Sequence, residues 1–250
     1  MSAPFKITNV IGTPCLNASI ERLLVFLEES KEQRLTIDFT NVHITAARSV
    51  EPEFKELTDK YDYFVPDSQV LKWAVNLCGG KMDSRVYGPE FLTYSIKNSK
   101  PETRHYLLGG SQDCLDKLIE NAQSMSKDFS ICGSRNGYFK EEDTDEIIAD
   151  IQHCNPDFIW VGLGTPKQQE WIIKNAPKFG KGVFLAVGFA FDVNAGTKKD
   201  APVIFQKMGM TWFYRLICEP RRLWWRYLKY NTIFLWALMQ QIVLKRNFLK

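Results

Sequence analysis

The run Gly162-Leu163-Gly164-Thr165-Pro166-Lys167-Gln168 has the residue types of an anion cradle. An apolar stretch leads into it, its glycines permit a tight turn, and Pro166 is preset for the start of a helix. The first N–H groups of a helix attract a diphosphate, and Lys167 and Gln168 would project there. A dinucleotide fingerprint fails, because Lys167 takes the third glycine position and Phe184-Leu185-Ala186, about 20 residues on, lacks the acid that grips a ribose. No GxxxxGK[ST] run occurs, which removes the P-loop nucleotidases. The bland reading of the run is turn chemistry alone. Asp67, after Phe64-Val65-Pro66, is a lone carboxylate at a strand end. It suits either a general base or the N-cap of a helix starting near Ser68, and position alone leaves both open. Asp143-Thr144-Asp145 has the spacing of a metal–nucleotide motif but lies among acids just before Ile147-Ile148. There acids complement a helix dipole, so a helix start is expected and no metal site. His105 reads as strand packing and His153 as a helix-end residue, while His43, beside Thr40-Asn41, is placed to line a pocket.

Charge adds a second feature. The net charge of +3 hides an asymmetry: residues 203–250 hold nine Lys or Arg against the single acid Glu219, a net +8, which leaves the first 202 residues at −5. Four of the seven tryptophans, Trp212, Trp224, Trp225 and Trp236, fall in that basic stretch. Read as a helix over 221–229, it places Leu223, Trp224, Tyr227 and Leu228 on one side and Arg222, Arg226 and Lys229 on the other. The apolar run 233–239 then meets Gln240-Gln241, short of the roughly 20 apolar residues a bilayer span needs. Such a segment suits an interfacial anchor, indoles entering the headgroup boundary while Lys and Arg meet anionic lipid. A C-terminal helix docked on the body with a solvated basic face is the alternative. The aliphatic neighbours of these aromatics suit lipid better than stacked bases, so no nucleic-acid partner is expected.

The elements that must position these residues follow from period and punctuation. Short apolar or β-branched runs at 5–11, 35–39, 63–65, 105–108, 130–132, 158–163 and 183–187 alternate with helical stretches at 19–29, 44–60 (interrupted by Pro52), 68–77, 90–98, 112–126, 141–152 and 168–175. That alternation predicts a Rossmann-like α/β fold, a mainly parallel sheet with flanking helices, plus a helical basic C-terminal appendage. In such sheets ligands bind beyond the carboxyl ends of the strands, where Thr40, Asp67, Gly109-Gly110, Gly164 to Gln168 and Gly188 to Asp192 would lie. The 250 residues, 45% hydrophobic and 24% charged, exclude a disordered or fibrous chain. Six scattered cysteines without a CxxC read as buried free thiols in a reducing cytoplasm, and the N-terminus lacks the pattern of a secretory signal.

Several stretches together resemble the WecG/TagA/CpsF family of bacterial glycosyltransferases. They are Val65-Pro66-Asp67, Ser84 to Pro89, Leu107-Leu108-Gly109-Gly110, Asn136-Gly137-Tyr138-Phe139, Val161 to Gln168, Phe191 to Gly196, Trp212 to Leu216 and Glu219 to Leu223. Their order and spacing run from about residue 5 to about residue 230. The resemblance implies inverting transfer of a sugar from a UDP-sugar to a polyprenyl-diphosphate-linked glycan acceptor in surface-polymer synthesis, without an obligatory metal or other cofactor. It implies a body over 1–202 and a membrane-associating appendage over 203–250, hence a cytoplasmic protein peripheral on the inner face of the cell membrane. Homo-oligomerisation is compatible with it. By the same resemblance Asp67 is the catalytic base with Thr40 beside it. Arg85, Arg215, Arg221 and Arg222 meet the diphosphate, and Gly164, Pro166, Lys167, Gln168 and Asp192 line the donor pocket. The chain departs from the family pattern at Ser68, where Gly is common, at Gln169, where Glu is frequent, and at Lys199-Asp200, where a base usually precedes Ala201-Pro202. Donor sugar and acceptor glycan stay open, and a non-catalytic membrane or nucleic-acid-binding module is the rival to an enzyme.

Overall fold

The computed structural model describes residues 5–244; Met1 to Pro4 and three bases of the tail count, Lys245, Arg246 and Lys250, lie outside the described residues. In chain order the first elements are β1 (Ile7–Val10), β2 (Thr13–Leu16), α1 (Ile20–Glu29), β3 (Arg34–Thr40), α2 (Val42–Val50), α3 (Pro52–Thr58), β4 (Tyr63–Pro66) and α4 (Gln69–Leu77). Next come α5 (Gly88–Asn98), β5 (Arg104–Gly109), α6 (Gln112–Met125), β6 (Ser130–Arg135), α7 (Thr144–Cys154), β7 (Phe158–Gly162), α8 (Lys167–Asn175) and β8 (Gly182–Ala186). The last are α9 (Ala190–Asn194), α10 (Val203–Lys207), α11 (Thr211–Cys218) and α12 (Pro220–Val243). The strands are mostly parallel and helices flank them, a Rossmann-like α/β fold. The chain divides into two compact units: the described parts of Met1–Ser19, Phe39–Tyr87 and Asp200–Lys250, and a second of Ile20–Asp38 and Gly88–Lys199.

In the first unit β1 and β2 form an antiparallel hairpin, Ile7 facing Leu16 and Val10 facing Thr13. Its turn, Ile11-Gly12, has positive φ at both residues, 43° and 84°, the backbone hand that matches the twist of a two-residue hairpin. Glycine adopts it freely; Ile11 does so at a cost that its surroundings must meet. Strand β2 runs parallel to β4, Cys15 beside Phe64. The expected strand at 5–11 is therefore only half of a hairpin, and β2, with Pro14 inside it, carried no strand signal of its own. Helices α2 and α3 break where Pro52 predicts, Pro52 opening α3. Arg48 of α2 is buried and fully used. Its Nε donates to Thr13 Oγ1 (3.1 Å), its Nη2 to the Gly12 carbonyl (3.3 Å) and Asp59 (2.7 Å), and its Nη1 to Thr58.

Helix α12 extends the expected 221–229 segment to 24 residues, about 36 Å of helix. Leu223 is buried, while Trp224 is 53% and Trp225 75% exposed. The buried stripe lies further on: Phe234, Ala237 and Leu238, at helical spacing, join Val10, Ile11, Cys15, Ala46, Leu71 and Val75 in one core. Gln241 completes the docking, its Oε1 accepting the Ile11 N–H (2.6 Å) and its Nε2 donating to the Asn9 carbonyl (3.0 Å). Both groups of one amide thus hold the strained turn.

In the second unit the parallel strands lie in the order β3, β8, β7, β5, β6. Trp160, Tyr106, Phe158 and Phe184 fill its interior. His105 is among them: the Trp160 indole donates to its Nδ1 (3.1 Å) and Phe129 stacks on it at 4.0 Å. Burial, then the Lys31 charge, brings its pKa down to about 3, so it packs as a neutral ring. Strand β6 runs three residues beyond the expected 130–132. Gly133-Ser134-Arg135 carries little strand signal, yet a Cβ at Gly133 would lie 2.6 Å from the Tyr106 ring, so glycine is required there.

Truncating Phe234 to Ala removes the centre of the α12 stripe. It is expected to lower stability by about 3–5 kcal/mol, read as a shift of the urea midpoint for the first unit's unfolding.

Candidate active site

In the first unit two strand ends meet. The Asp67 N–H donates to the Thr40 carbonyl (2.8 Å), and the Val86 N–H to the Pro66 carbonyl (3.0 Å), which draws Arg85 and Tyr87 alongside. Ser68 has extended backbone and its hydroxyl accepts the Leu71 N–H (3.3 Å), so Ser68 caps α4. Thr40 is fully buried and its Oγ1 has no hydrogen-bond partner among the described residues. Leaving a hydroxyl unpaired in the interior costs about 1–3 kcal/mol, a cost that marks the position.

Arg85 is buried except for 7% of its surface. Its Nη2 donates to Gln206 Oε1 (2.6 Å) and its guanidinium lies 3.9 Å over the Tyr87 ring. The Tyr87 hydroxyl donates to Asp200 (2.7 Å). Burial, then the charges of Asp200 and Asp67, hold its proton well above the usual phenol range, which places the Asp67 carboxylate within electrostatic reach of Tyr87. Arg215 lies in α11, Arg221 and Arg222 in the first turn of α12; Arg222 pairs with Glu219 (2.5 Å) and Arg221 is exposed. Arg226, half-buried, is held below the usual arginine range by burial and then by the charges of Arg222 and Arg215. These guanidiniums repel one another, a potential that an anion would relieve. The His43 ring meets Tyr230 of α12 edge-on at 4.5 Å, and burial, then the Arg226 charge, brings its pKa to about 4.

In the second unit the Gly162-to-Gln168 run is a tight turn into α8, with Gly164 at φ 77° and Pro166 just before the helix. Gln168 is buried and its Oε1 accepts the Gly164 N–H (3.2 Å), closing the turn, while Lys167 extends into solvent. Its Nε2 makes no hydrogen bond among the described residues. Backbone crowds this edge. A Cβ at Gly109 would sit 2.5 Å from the Gly162 carbonyl, and one at Gly162 2.9 Å from the Phe191 ring. Asp192, in the first turn of α9, is held by Thr197 (3.2 Å) and Lys198 (3.3 Å). Asp143 accepts the Lys140 N–H (2.9 Å) and Asp145 pairs with Lys178 (3.4 Å) at the entry to α7, the helix start that the sequence predicts. Among the described residues no group of three His, Cys, Asp or Glu side chains is disposed to hold a metal ion, and no helix is long and apolar enough to cross a membrane.

Residues 8–248 match the Glycosyl transferase WecG/TagA/CpsF family. The chain belongs to this family. Among similar proteins are the N-acetylglucosaminyldiphosphoundecaprenol N-acetyl-beta-D-mannosaminyltransferases of Staphylococcus aureus strains NCTC 8325 / PS 47 and COL, each 27% identical over 205 residues, covering 82% of this chain and 80% of theirs. That of strain MRSA252 is 26% identical over 204 residues, with the same coverage.

Sequence reasoning within this glycosyltransferase family missed two polar arrangements. One is the Tyr87–Asp200–Gln206–Arg85 chain, which joins residues 85 and 87 to residues 200 and 206, over a hundred positions later. The other is Asp38 with Gln169, both fully buried, the Gln169 Nε2 donating to Asp38 (2.7 Å). The available signal was Gln169 itself: an amide beside a carboxylate donates a hydrogen bond where a second carboxylate would repel.

Ser68→Ala is expected to cost about 1 kcal/mol and to speed hydrogen exchange at the Leu71 amide. Asp67→Asn is expected to leave that amide protected, because the Leu71 N–H is taken by the Ser68 hydroxyl.

Proposed function

We propose that this chain is an inverting glycosyltransferase that moves a sugar of the N-acetylhexosamine class from a UDP-sugar to an acceptor carried on a polyprenyl diphosphate, in the synthesis of a bacterial cell-envelope polymer. Family membership supports the reaction class. The names of the Staphylococcus aureus relatives support an N-acetylglucosaminyl diphosphate lipid as acceptor. The observation that carries the reading is Asp67: a half-buried carboxylate at a strand end, next to the α4 cap Ser68 and bonded through its backbone to Thr40, beside the buried Arg85.

Inversion takes a single displacement. The acceptor hydroxyl oxygen attacks the anomeric carbon of the donor, the bond from that carbon to the diphosphate oxygen breaks, and UDP leaves with the electron pair. Asp67 accepts the hydroxyl proton; one carboxylate suffices, unlike the pair a glycosidase employs. Thr40, bonded through its carbonyl to the Asp67 N–H, supports that carboxylate at the strand end. Charge growing on the diphosphate is met by Arg85, Arg215, Arg221 and Arg222, since guanidinium groups bind phosphate oxygens in a fixed fork and stabilise them most in the transition state. Gly164, Pro166, Lys167, Gln168 and Asp192 bind the nucleotide sugar.

The segment over 203–250 serves in this reading as the membrane-associating appendage of a body over 1–202. Trp212, Trp224, Trp225, Leu228, Trp236 and Met239 stand exposed on α11 and α12, an apolar surface next to bases, as interfacial binding requires. The enzyme then works on the cytoplasmic face of the membrane, taking donor from solution and acceptor from the bilayer.

Asp67→Asn is expected to cut turnover about a hundredfold or more while isothermal titration gives UDP affinity close to wild type; wild-type turnover would remove Asp67 from the mechanism. Replacing Trp224 and Trp225 together by Ala is expected to weaken sedimentation with phosphatidylglycerol vesicles about tenfold or more and to leave transfer to a water-soluble acceptor intact. Unchanged vesicle binding would place the membrane contact elsewhere.

A further inference from the structure

We propose that Asp200 is a positioning residue that sets the Arg85 guanidinium for the diphosphate; the proposal rests on the reading of Arg85 given above. Two contacts fix Arg85, the Gln206 Oε1 on its Nη2 (2.6 Å) and the Tyr87 ring beneath it (3.9 Å). Both lead to one carboxylate. Asp200 Oδ1 accepts the Tyr87 hydroxyl (2.7 Å) and the Ala201 N–H (2.7 Å), and Oδ2 accepts the Gln206 Nε2 (3.0 Å).

The chemistry of each partner fixes its direction. A glutamine amide fits either way round by shape, and only its neighbours decide which end faces where. Asp200 and the Ala201 carbonyl, which accepts from the same Nε2 at 2.7 Å, are both acceptors. They claim the NH2 of Gln206 and leave its oxygen for the cation; the flipped amide would turn N–H groups on Arg85. The second arm works on orientation, because a tyrosine anchored at its hydroxyl keeps its ring as a flat shelf, and a guanidinium stacks on such a face. The carboxylate is one residue removed from the cation. It therefore orders Arg85 without forming the direct ion pair that would compete with an anionic ligand. Nε and Nη1 of Arg85 make no hydrogen bond among the described residues, so the side chain is held at one nitrogen and one face with its remaining donors free. Holding a charged group in place beforehand removes the cost of ordering it as charge develops.

The test is a double-mutant cycle on the full chain, read by isothermal titration with UDP and by kcat and KM for the donor. Arg85→Ala and Asp200→Asn are each expected to weaken UDP binding, the latter by about tenfold (about 1.4 kcal/mol). In the Arg85→Ala background Asp200→Asn should add less than about twofold, because it acts only through Arg85. Tyr87→Phe keeps the ring and removes one arm; it should give a smaller loss that also disappears without Arg85, and it carries the cycle if Asp200→Asn lowers the melting temperature enough to unfold the protein. If Arg85→Ala leaves UDP affinity and kcat unchanged, the diphosphate reading of Arg85 fails and this proposal with it. If Arg85→Ala weakens binding but the Asp200 and Tyr87 substitutions do not, or if their effects add fully to it, only the proposal is overturned.

Discussion

The first unit depends on the burial of one stripe of α12. Phe234, Ala237 and Leu238 fill a core otherwise made by the β1–β2 hairpin, α2 and α4, and burying side chains of that size contributes about 1.5–3 kcal/mol for each large one. A helix is stiff over this length, so docking its second half also fixes its first. Arg222 lies twelve residues before Phe234, about 18 Å along the axis, and its position follows from that of Phe234. The Glu51 carboxylate, held low despite burial by its bonds to Tyr230 and Lys229, ties the middle of α12 to the end of α2. The basic segment thus carries core residues, bases and exposed aromatics on one helix, interleaved along its length.

The second unit meets a different constraint. At the carboxyl ends of β5 and β7 the backbones of Gly109 and Gly162 approach so closely that any side chain would collide, and Gly110 hydrogen-bonds back to Gly162. What results is an edge with few side chains of its own, its Gly110 and Gly137 N–H groups tied to neighbouring carbonyls. Gln168 closes the turn before α8 from within, so the residue that the sequence reads as reaching for a ligand also builds the loop.

Much of this was legible in the sequence because it rests on local signals. The alternation of apolar runs and amphipathic stretches located the principal strands and helices to within a few residues, and Pro52 and Pro166 marked helix starts. Asp143-Thr144-Asp145 read correctly as a helix start from its acidic neighbours. What local signals do not carry is which face packs. The tail helix was foreseen, but not the stripe by which it packs, since the partner surface for α12 is assembled from residues near 10, 46 and 71 that no window around 225 contains. Asp67 was undecided between cap and base because Ser68, one residue on, is equally suited to capping; only the Ser68 hydroxyl on the Leu71 amide separates them. The Asp200 chain, joining residues 85, 87, 200 and 206, and the Arg48 hub were invisible for the same reason.

The turn at Ile11 has a consequence for the order of assembly. A β-branched residue at positive φ is unfavourable in isolation, and what holds it is the amide of Gln241, 230 residues later, together with the stripe just before it. Synthesis presents the hairpin 230 residues before the clasp that holds it. Residues of the second unit between 88 and 199 can pair with one another as they appear, whereas the hairpin waits for the stripe and amide of residues 234–241. The portion of the molecule bearing Asp67 and Arg85 therefore completes its core after the second unit's strands have formed, and until then its apolar strands stay open to self-association.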